Sequence, residues 1–406
     1  MRQYRNGWRY LRFSDEFGKR GPDVMNHGRS PDRPNQSPLN PKRADRLCPH
    51  AGDSVRQLAA QCAAAAADYI KRMTSGSRPP ECWVISDGRA GIENQALGLA
   101  EAVGRLMPLH VAPKRIVIKS PWAKLPRALW GDPFKRLSPD GALLRPPFPA
   151  LWIACGRLST PFARAVKALN PNVFTVQIQA PRAPLDVFDL VIPPLHDKLA
   201  GENVFPILGS PNRVTQSVLR HDAEILAPAI EKLGAPRVAV LIGGSNRAYA
   251  MTQACAEKLA ADLAKLADRG AALMITTSRR TNPEAVRALR AALGERAYFF
   301  WSGGTVNGLK NPYFGMLGLA DHIIVTGDSV NMAAEAAATG KPVHVVPLER
   351  RNRAAASKFE IFHEELRARG AAKVFNGELE SWSYAPLNET ERAAREIVRR
   401  LEARRV

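Results

Sequence analysis

The 406-residue chain has five cysteines (Cys48, Cys62, Cys82, Cys155 and Cys255), and no two form a Cys-x-x-Cys pair. Scattered thiols exclude a disulfide framework or a zinc knuckle and fit a reducing compartment. No apolar run approaches the roughly 18–20 residues that a bilayer span requires. The longest candidate, Leu58 to Ala67, is alanine-rich and broken by Gln61. The N-terminus lacks a signal-peptide apolar core, and Asp15, Glu16 and Asp23 are out of place in an arginine-rich transit peptide. Gly-x-Gly-x-x-Gly, a Walker A loop and Asp-x-Asp are all missing. Without Asp-x-Asp nothing points to a metal-bound diphosphate, so neither metal nor organic cofactor is expected. These absences predict a soluble cytoplasmic protein.

The chain is 45% hydrophobic and 24% charged, a globular composition long enough for two domains. Its net charge of +20 suggests an anionic partner. Residues 1–80 carry 15 basic against 7 acidic side chains, and the remaining excess is spread thinly. With no single basic domain and no basic aromatic platform, no nucleic-acid partner is expected. Residues 1–75 read as a disordered or weakly helical extension, with a disorder composition from Gly28 to Pro49 and an alanine-rich helix over 54–73. Because Met73 stands just before the first strand, residues 1–72 read as a dispensable extension or a misassigned start. The other reading has Trp8, Tyr10, Leu11 and Phe13, interleaved with Arg5, Arg9 and Arg12, touching an acidic membrane from its cytoplasmic face.

From Cys82 onward, short apolar runs alternate with amphipathic stretches. Strands are predicted at 82–86, 115–118, 150–154, 173–178 and 188–192, with helices after the first and over 160–169. A second series places strands at 238–242, 272–276, 297–301, 322–326 and 343–346, with helices at 249–267, 283–293, 313–319 and 329–339. Alternation of this kind implies right-handed βαβ units and parallel sheets. The fold class is therefore α/β: two Rossmann-like domains, 81–228 and 235–385, facing across a cleft. A last helix, 387–406, is expected to pack back across their junction. Asn388 with Glu391 predicts its capping box, and Glu391/Arg395 and Glu396/Arg400 predict its i,i+4 pairs.

Ligands of open parallel sheets bind beyond the carboxyl ends of strands. The first candidate loop is Asp87 to Gln95, where Gly88 and Gly91 permit close backbone approach beside Arg89, Glu93, Asn94 and Gln95. A plain turn glycine is the bland alternative. The second is Gly243-Gly244-Ser245-Asn246-Arg247, whose backbone can nest a phosphate, although Gly-Gly-Ser alone is a weak signal. The third is Thr326-Gly327-Asp328-Ser329, with Asn331 and Glu335 on the helix that follows; Glu335 suits a ribose and is otherwise a surface carboxylate. Ser278, Arg279 and Arg280 follow another strand, and paired arginines suit bidentate phosphate contacts.

The run GGSNRA followed by VTGDSVNMAAEAAATGKPVHVVP resembles the donor-nucleotide domain of GT-B glycosyltransferases. That resemblance implies a GT-B-like fold with Gly243, Gly244, Ser245, Ser329 and Glu335 contacting the donor. WVISDGRAGIENQALGLAEAV, FDLVIPPLHD, LIGGSNRAY, TTSRRT, NPYFGMLGLADHIIVTGDSVNMAAEA and GKPVHVVPLE look like the mitochondrial-fission "elongated mitochondria" family across about residues 81–370. Its bacterial members are described as glycosyltransferases, and its plant members as mitochondrial surface adaptors that recruit a dynamin-related protein. The implied partners are a nucleotide-diphosphate sugar and an envelope glycan or lipid-linked acceptor.

One departure matters. The glycosyltransferase first loop contains a histidine, whereas this one has only Asp87 and Glu93. A base for an acceptor hydroxyl must come from Asp87, Glu93, or the pair His196–Asp197, a carboxylate-tuned imidazole if both face the cleft. A helix terminus contributes only about 0.3–2 kcal/mol toward an anion, so arginines must neutralise a leaving diphosphate. Two readings follow: a metal-independent glycosyltransferase, or a non-catalytic GT-B-like adaptor at a membrane surface.

Overall fold

The computed structural model describes residues 79–296 and 298–404, all within one compact unit. The expectations for residues 1–75 lie outside the described residues. The first half runs β1 (Glu81–Ser86), α1 (Ala90–Leu106), β2 (His110–Arg115), β3 (Leu151–Cys155), α2 (Thr160–Leu169), β4 (Phe174–Ile178) and β5 (Leu190–Ile192). These strands form an all-parallel sheet in the order β2-β1-β3-β4-β5. β3 reads LWIAC and is buried throughout, as a central parallel strand covered on both faces should be. The strand predicted at 115–118 is corrected to 110–115. β2 is an edge strand with mostly partial or full exposure, so it lacks an apolar signature, and only an edge tolerates Pro113.

Helix α3 (Gln216–Leu226) leads into the second half. There follow β6 (Arg237–Ile242), β7 (Tyr249–Ala250), α4 (Gln253–Asp268), β8 (Ala272–Thr277), α5 (Pro283–Leu293), β9 (Tyr298–Trp301) and α6 (Tyr313–Leu319). The chain continues through β10 (His322–Thr326), α7 (Val330–Ala337), β11 (Val343–Val346), β12 (Glu349–Arg350), α8 (Arg353–Ala368) and β13 (Ala372–Val374). The sheet order is β13-β11-β10-β6-β8-β9, again parallel throughout. From β6 the chain winds outward on one side and returns to β10 on the other. A crevice therefore opens between the carboxyl ends of β6 and β10, and an equivalent one lies between β1 and β3 in the first sheet. The helix predicted from 249 begins at 253, because Tyr249 and Ala250 pair with Arg350 and Glu349 in a two-stranded ribbon and Thr252 caps the helix.

Helix α9 (Glu389–Ala403) returns to the first half and packs on α1, burying Ala393, Ala394 and Ile397 in the cluster that holds Leu99 and Val103. Full burial of a side chain like Ile397 contributes about 1.5–3 kcal/mol. The expected capping box does not form. Asn388 makes no side-chain cap, and Glu391 reaches Arg105 on α1 at 3.3 Å instead of Arg395. The Glu396–Arg400 pair is present at 2.6 Å. Two Rossmann-like sheets in tandem, joined by a helix that crosses back to the first, make a GT-B-like arrangement.

Candidate functional site at the facing strand edges

The β6–β10 crevice is closed by a network of short polar contacts. The Gly243 N–H donates to Thr326 Oγ1 at 2.7 Å, and that hydroxyl donates to Asp328 Oδ1 at 2.6 Å. The Gly244 N–H donates to Asp328 Oδ2 at 3.0 Å, and the Arg280 guanidinium lies 2.7 Å from the same oxygen. Asp328's carboxylate is wholly buried, while the Arg280 side chain keeps 41% of its exposure. Asn246 Nδ2 donates to the Asp328 carbonyl at 3.0 Å, and its Oδ1 accepts from Ala248 and Tyr249, which fixes the turn after the glycines. Thr281 Oγ1 donates to the Gly243 carbonyl, pinning the Ser278–Thr281 loop against the same turn.

The glycines here are explained by packing. A Cβ on Gly243 would lie 2.1 Å from Asp328 Oδ1, and one on Gly244 would lie 2.0 Å from the Arg280 carbonyl oxygen. Thus Gly243, Gly244, Asn246, Arg280, Thr326 and Asp328 are brought together, with both glycine N–H groups already bound to side chains. Ser245 accepts from the Met251 N–H, and Ser278 accepts from the Arg280 N–H. Arg247 and Arg279 are exposed and make no ion pair among the described residues. Gly327 is held by His363, whose Nε2 lies 2.9 Å from its carbonyl. A carbonyl only accepts, so Nε2 carries the proton, and burial lowers the imidazole's pKa and keeps it neutral.

Ser329 caps α7 by accepting from the Met332 N–H, and two residues on, Asn331 crosses to the first half. Its Oδ1 accepts from Ser210 Oγ at 2.9 Å and from Gln95 Nε2 at 3.2 Å; its Nδ2 donates to the Gly91 carbonyl at 3.4 Å. Gln95 also accepts from Gln179 Nε2 at 3.1 Å. Gln179 has φ +70°, a left-handed conformation that costs a non-glycine residue about 1–3 kcal/mol and tends to mark functional turns. Loops 88–95 and 326–331 therefore meet edge to edge, and loop 243–247 joins them through Asp328.

Glu335 sits farther along α7, half-buried, and accepts from the Tyr313 hydroxyl at 2.8 Å. Burial lifts its pKa from 4.5 to about 7 against the opposing pull of that hydrogen bond, and it pushes the Tyr313 phenol well above its usual value.

The four candidate bases have separate environments. Asp87 binds Arg89 at 2.7 Å, and Glu93 binds Arg115 at 2.6 Å. Asp197 pairs with Lys358 of α8 rather than tuning His196. His196 is half-buried, packs edge-on to Phe362 at 6.4 Å between centroids, and has an unpartnered buried Nδ1. Burial lowers its pKa, more than Asp197 raises it. Gly88 turns with φ +76°, its N–H on Ser86 Oγ, and Asn94 is half-buried.

Sequence reasoning missed Tyr313, Ser210, Gln179, Lys358 and His363. Tyr313 lay within the quoted NPYFG run, and the spacing of α7 alone gave Glu335 no partner. The others are isolated polar residues whose roles depend on elements distant in sequence. Among the described residues no group of three or more His, Cys, Asp or Glu is arranged to hold a metal ion, and no helix is long and apolar enough to cross a membrane.

The class is thus a two-sheet α/β protein with a GT-B-like chain path and polar strand-end loops converging on the cleft between its halves. The sequence profile described as "Mitochondrial fission ELM1" matches residues 90–401, and the chain belongs to this family. The Arabidopsis thaliana "Mitochondrial fission protein ELM1" is 32% identical over 63% of this chain, a match that spans 65% of that protein's length. A Rickettsia prowazekii protein, RP120, is 27% identical over 78% of this chain and 97% of its own length. Among solved structures, the UDP-GlcNAc 2-epimerase of Methanocaldococcus jannaschii aligns with 80% of this chain and 99% of its own, at 11% identity and a TM-score of 0.46. MurG of Acinetobacter baumannii aligns with 79% of this chain and 90% of its own, at 15% identity and a TM-score of 0.38.

Proposed function

We propose that this chain is a metal-independent glycosyltransferase that moves a sugar from a nucleotide-diphosphate donor to a cell-envelope acceptor, working in the cytoplasm at the inner face of the membrane. The observation that carries this reading is the meeting of loops 88–95, 243–247 and 326–331 at the facing carboxyl edges of two Rossmann-like sheets. Glu335 would take the ribose hydroxyls. Because Arg280 is committed to Asp328, Arg279 and Arg247 would neutralise the departing diphosphate together with the Ser329 end of α7. Among the four candidate bases, His196 is the one outside an ion pair, and its neutral imidazole can accept the acceptor's proton. Calorimetric titration of the folded protein with UDP, GDP, ADP and CMP sugars tests the reading; no binding by any of them overturns it.

A specific observation favours a second reading, a non-catalytic adaptor at a membrane surface. Asp328's own carboxylate already fills the anion position over the Gly244 N–H and Arg280. The Arabidopsis relative's name, a mitochondrial fission protein, accords with such a role. Glu335→Ala and Arg279→Ala separate the two readings. If both stay folded and lose biological function, the adaptor reading fails.

A further inference from the structure

A second cavity opens at the carboxyl edge of the first sheet, with a volume of about 510 Å³. Arg157 enters it from the loop after β3, Arg182 from the loop after β4, Arg164 from α2, and Arg127 from the connection between β2 and β3. No acidic residue lines it, and none of the four arginines makes an ion pair among the described residues. Arg182 and Arg127 are close enough to lower the Arg157 pKa after burial has done so, with only Asp197 opposing them. Four cations held together with no internal counter-charge repel one another, so an anion of the ligand would relieve that repulsion.

Two further features point the same way. Ser159 donates its hydroxyl to the Gly156 carbonyl at 2.8 Å, so the ten-residue helix α2 opens toward the cavity without a side-chain cap. Thr160, which lines the cavity, is only 7% exposed, and its buried Oγ1 has no hydrogen-bond partner. A buried hydroxyl left unpaired is costly, and a phosphate oxygen would satisfy it while the α2 dipole favours the negative charge. The remaining wall is alanine, proline and Val187, which suits an organic body attached to the charged group.

We propose that this cavity binds a phosphate or diphosphate ester, with the anionic group held by Arg157, Arg182, Arg127 and Thr160 and the apolar body along Ala165 and Val187. The site stands apart from the β6–β10 crevice and does not depend on the transferase reading. The probes are inorganic pyrophosphate and farnesyl diphosphate, titrated calorimetrically into the full chain. Arg157→Gln/Arg182→Gln is expected to weaken both by roughly tenfold or more, about the loss of one charge-assisted contact. Thr160→Val, which keeps the shape, is expected to weaken both by several-fold without altering the melting temperature. Arg279→Gln, at the other crevice, is expected to leave pyrophosphate affinity unchanged. If pyrophosphate does not bind the folded protein, or if Arg279→Gln abolishes its binding while the double variant retains it, the proposal is overturned. Failure of nucleotide sugars to bind leaves this result untouched. Displacement of pyrophosphate by phosphatidylcholine vesicles containing phosphatidic acid, and not by phosphatidylcholine alone, supports the site with a lipid-borne ligand. Farnesyl diphosphate binding that such vesicles do not compete supports it with a soluble one.

Discussion

Replacing Asp328 tests whether the glycine turn is built around a buried carboxylate. Asp328→Ala removes the acceptor of two buried donors, the Gly244 N–H and the Thr326 hydroxyl. Each donor left unpaired costs about 1–3 kcal/mol. Arg280 is 41% exposed and regains water when its partner goes, so its ion pair adds little. The expected loss is about 2–5 kcal/mol. Gly243→Ala should also destabilise, by about 1–3 kcal/mol, because its methyl would press on Asp328 Oδ1 from 2.1 Å. In the Asp328→Ala background all three closest atoms, Oδ1, Oδ2 and Cγ, are absent. The second substitution should then cost far less, leaving a coupling of about 1–2 kcal/mol. Urea denaturation of the wild type, both single variants and the double variant measures that coupling. Additivity within about 0.5 kcal/mol would refute the packing explanation and return Gly243 to a ligand role.

Three other outcomes are expected. Folding raises the Glu335 carboxyl from 4.5 to about 7, so the folded state binds the proton more tightly and this group's contribution to stability declines as pH rises across that interval. Glu335→Gln should therefore gain melting temperature relative to the wild type at pH 8 and not at pH 4; a pH-independent difference would contradict the assignment. His344 is depressed from 6.5 to about 4 by burial first and by His322 next. Its stability contribution is full above pH 6.5 and is lost as pH falls toward 4, and His344→Phe should flatten that acid limb of the melting profile. Gly98→Ala should destabilise despite alanine's helix preference of about 1 kcal/mol, since the added Cβ would meet the Asn212 carbonyl oxygen at 2.3 Å. A variant as stable as the wild type by thermal melting would show that the 212–213 segment can move away.

Where an element buries a continuous apolar run or one helical face, its sequence pattern and its environment coincide. The strands at β3, β10 and β11 and the helices α2, α5 and α6 were legible for that reason. β2 was misplaced because an edge strand has no second buried face to impose alternation. The short α3 and the exposed surface of α8 carried no signal strong enough to name them. In the site, the loops were legible because glycine, serine and charged residues stand directly after apolar strands. Their partners were not. Asn388 and Glu391 matched a cap by spacing, yet α1 offered Glu391 an arginine, and a local rule yielded to a tertiary contact.

The sequence by itself determined two series of βαβ units, the position of their strand-end loops and membership of a family defined over residues 90–401. These properties follow from hydrophobic period and turn chemistry, which act within a few residues. Only the tertiary structure decided that Asp328 fills the nest made by Gly243 and Gly244, that Glu335 is raised by burial beside Tyr313, and that Asn331 joins the halves. It alone gathered four arginines around one cavity. Burial and electrostatic interaction act through space, and the residues they bring together here are separated by tens to hundreds of positions along the chain.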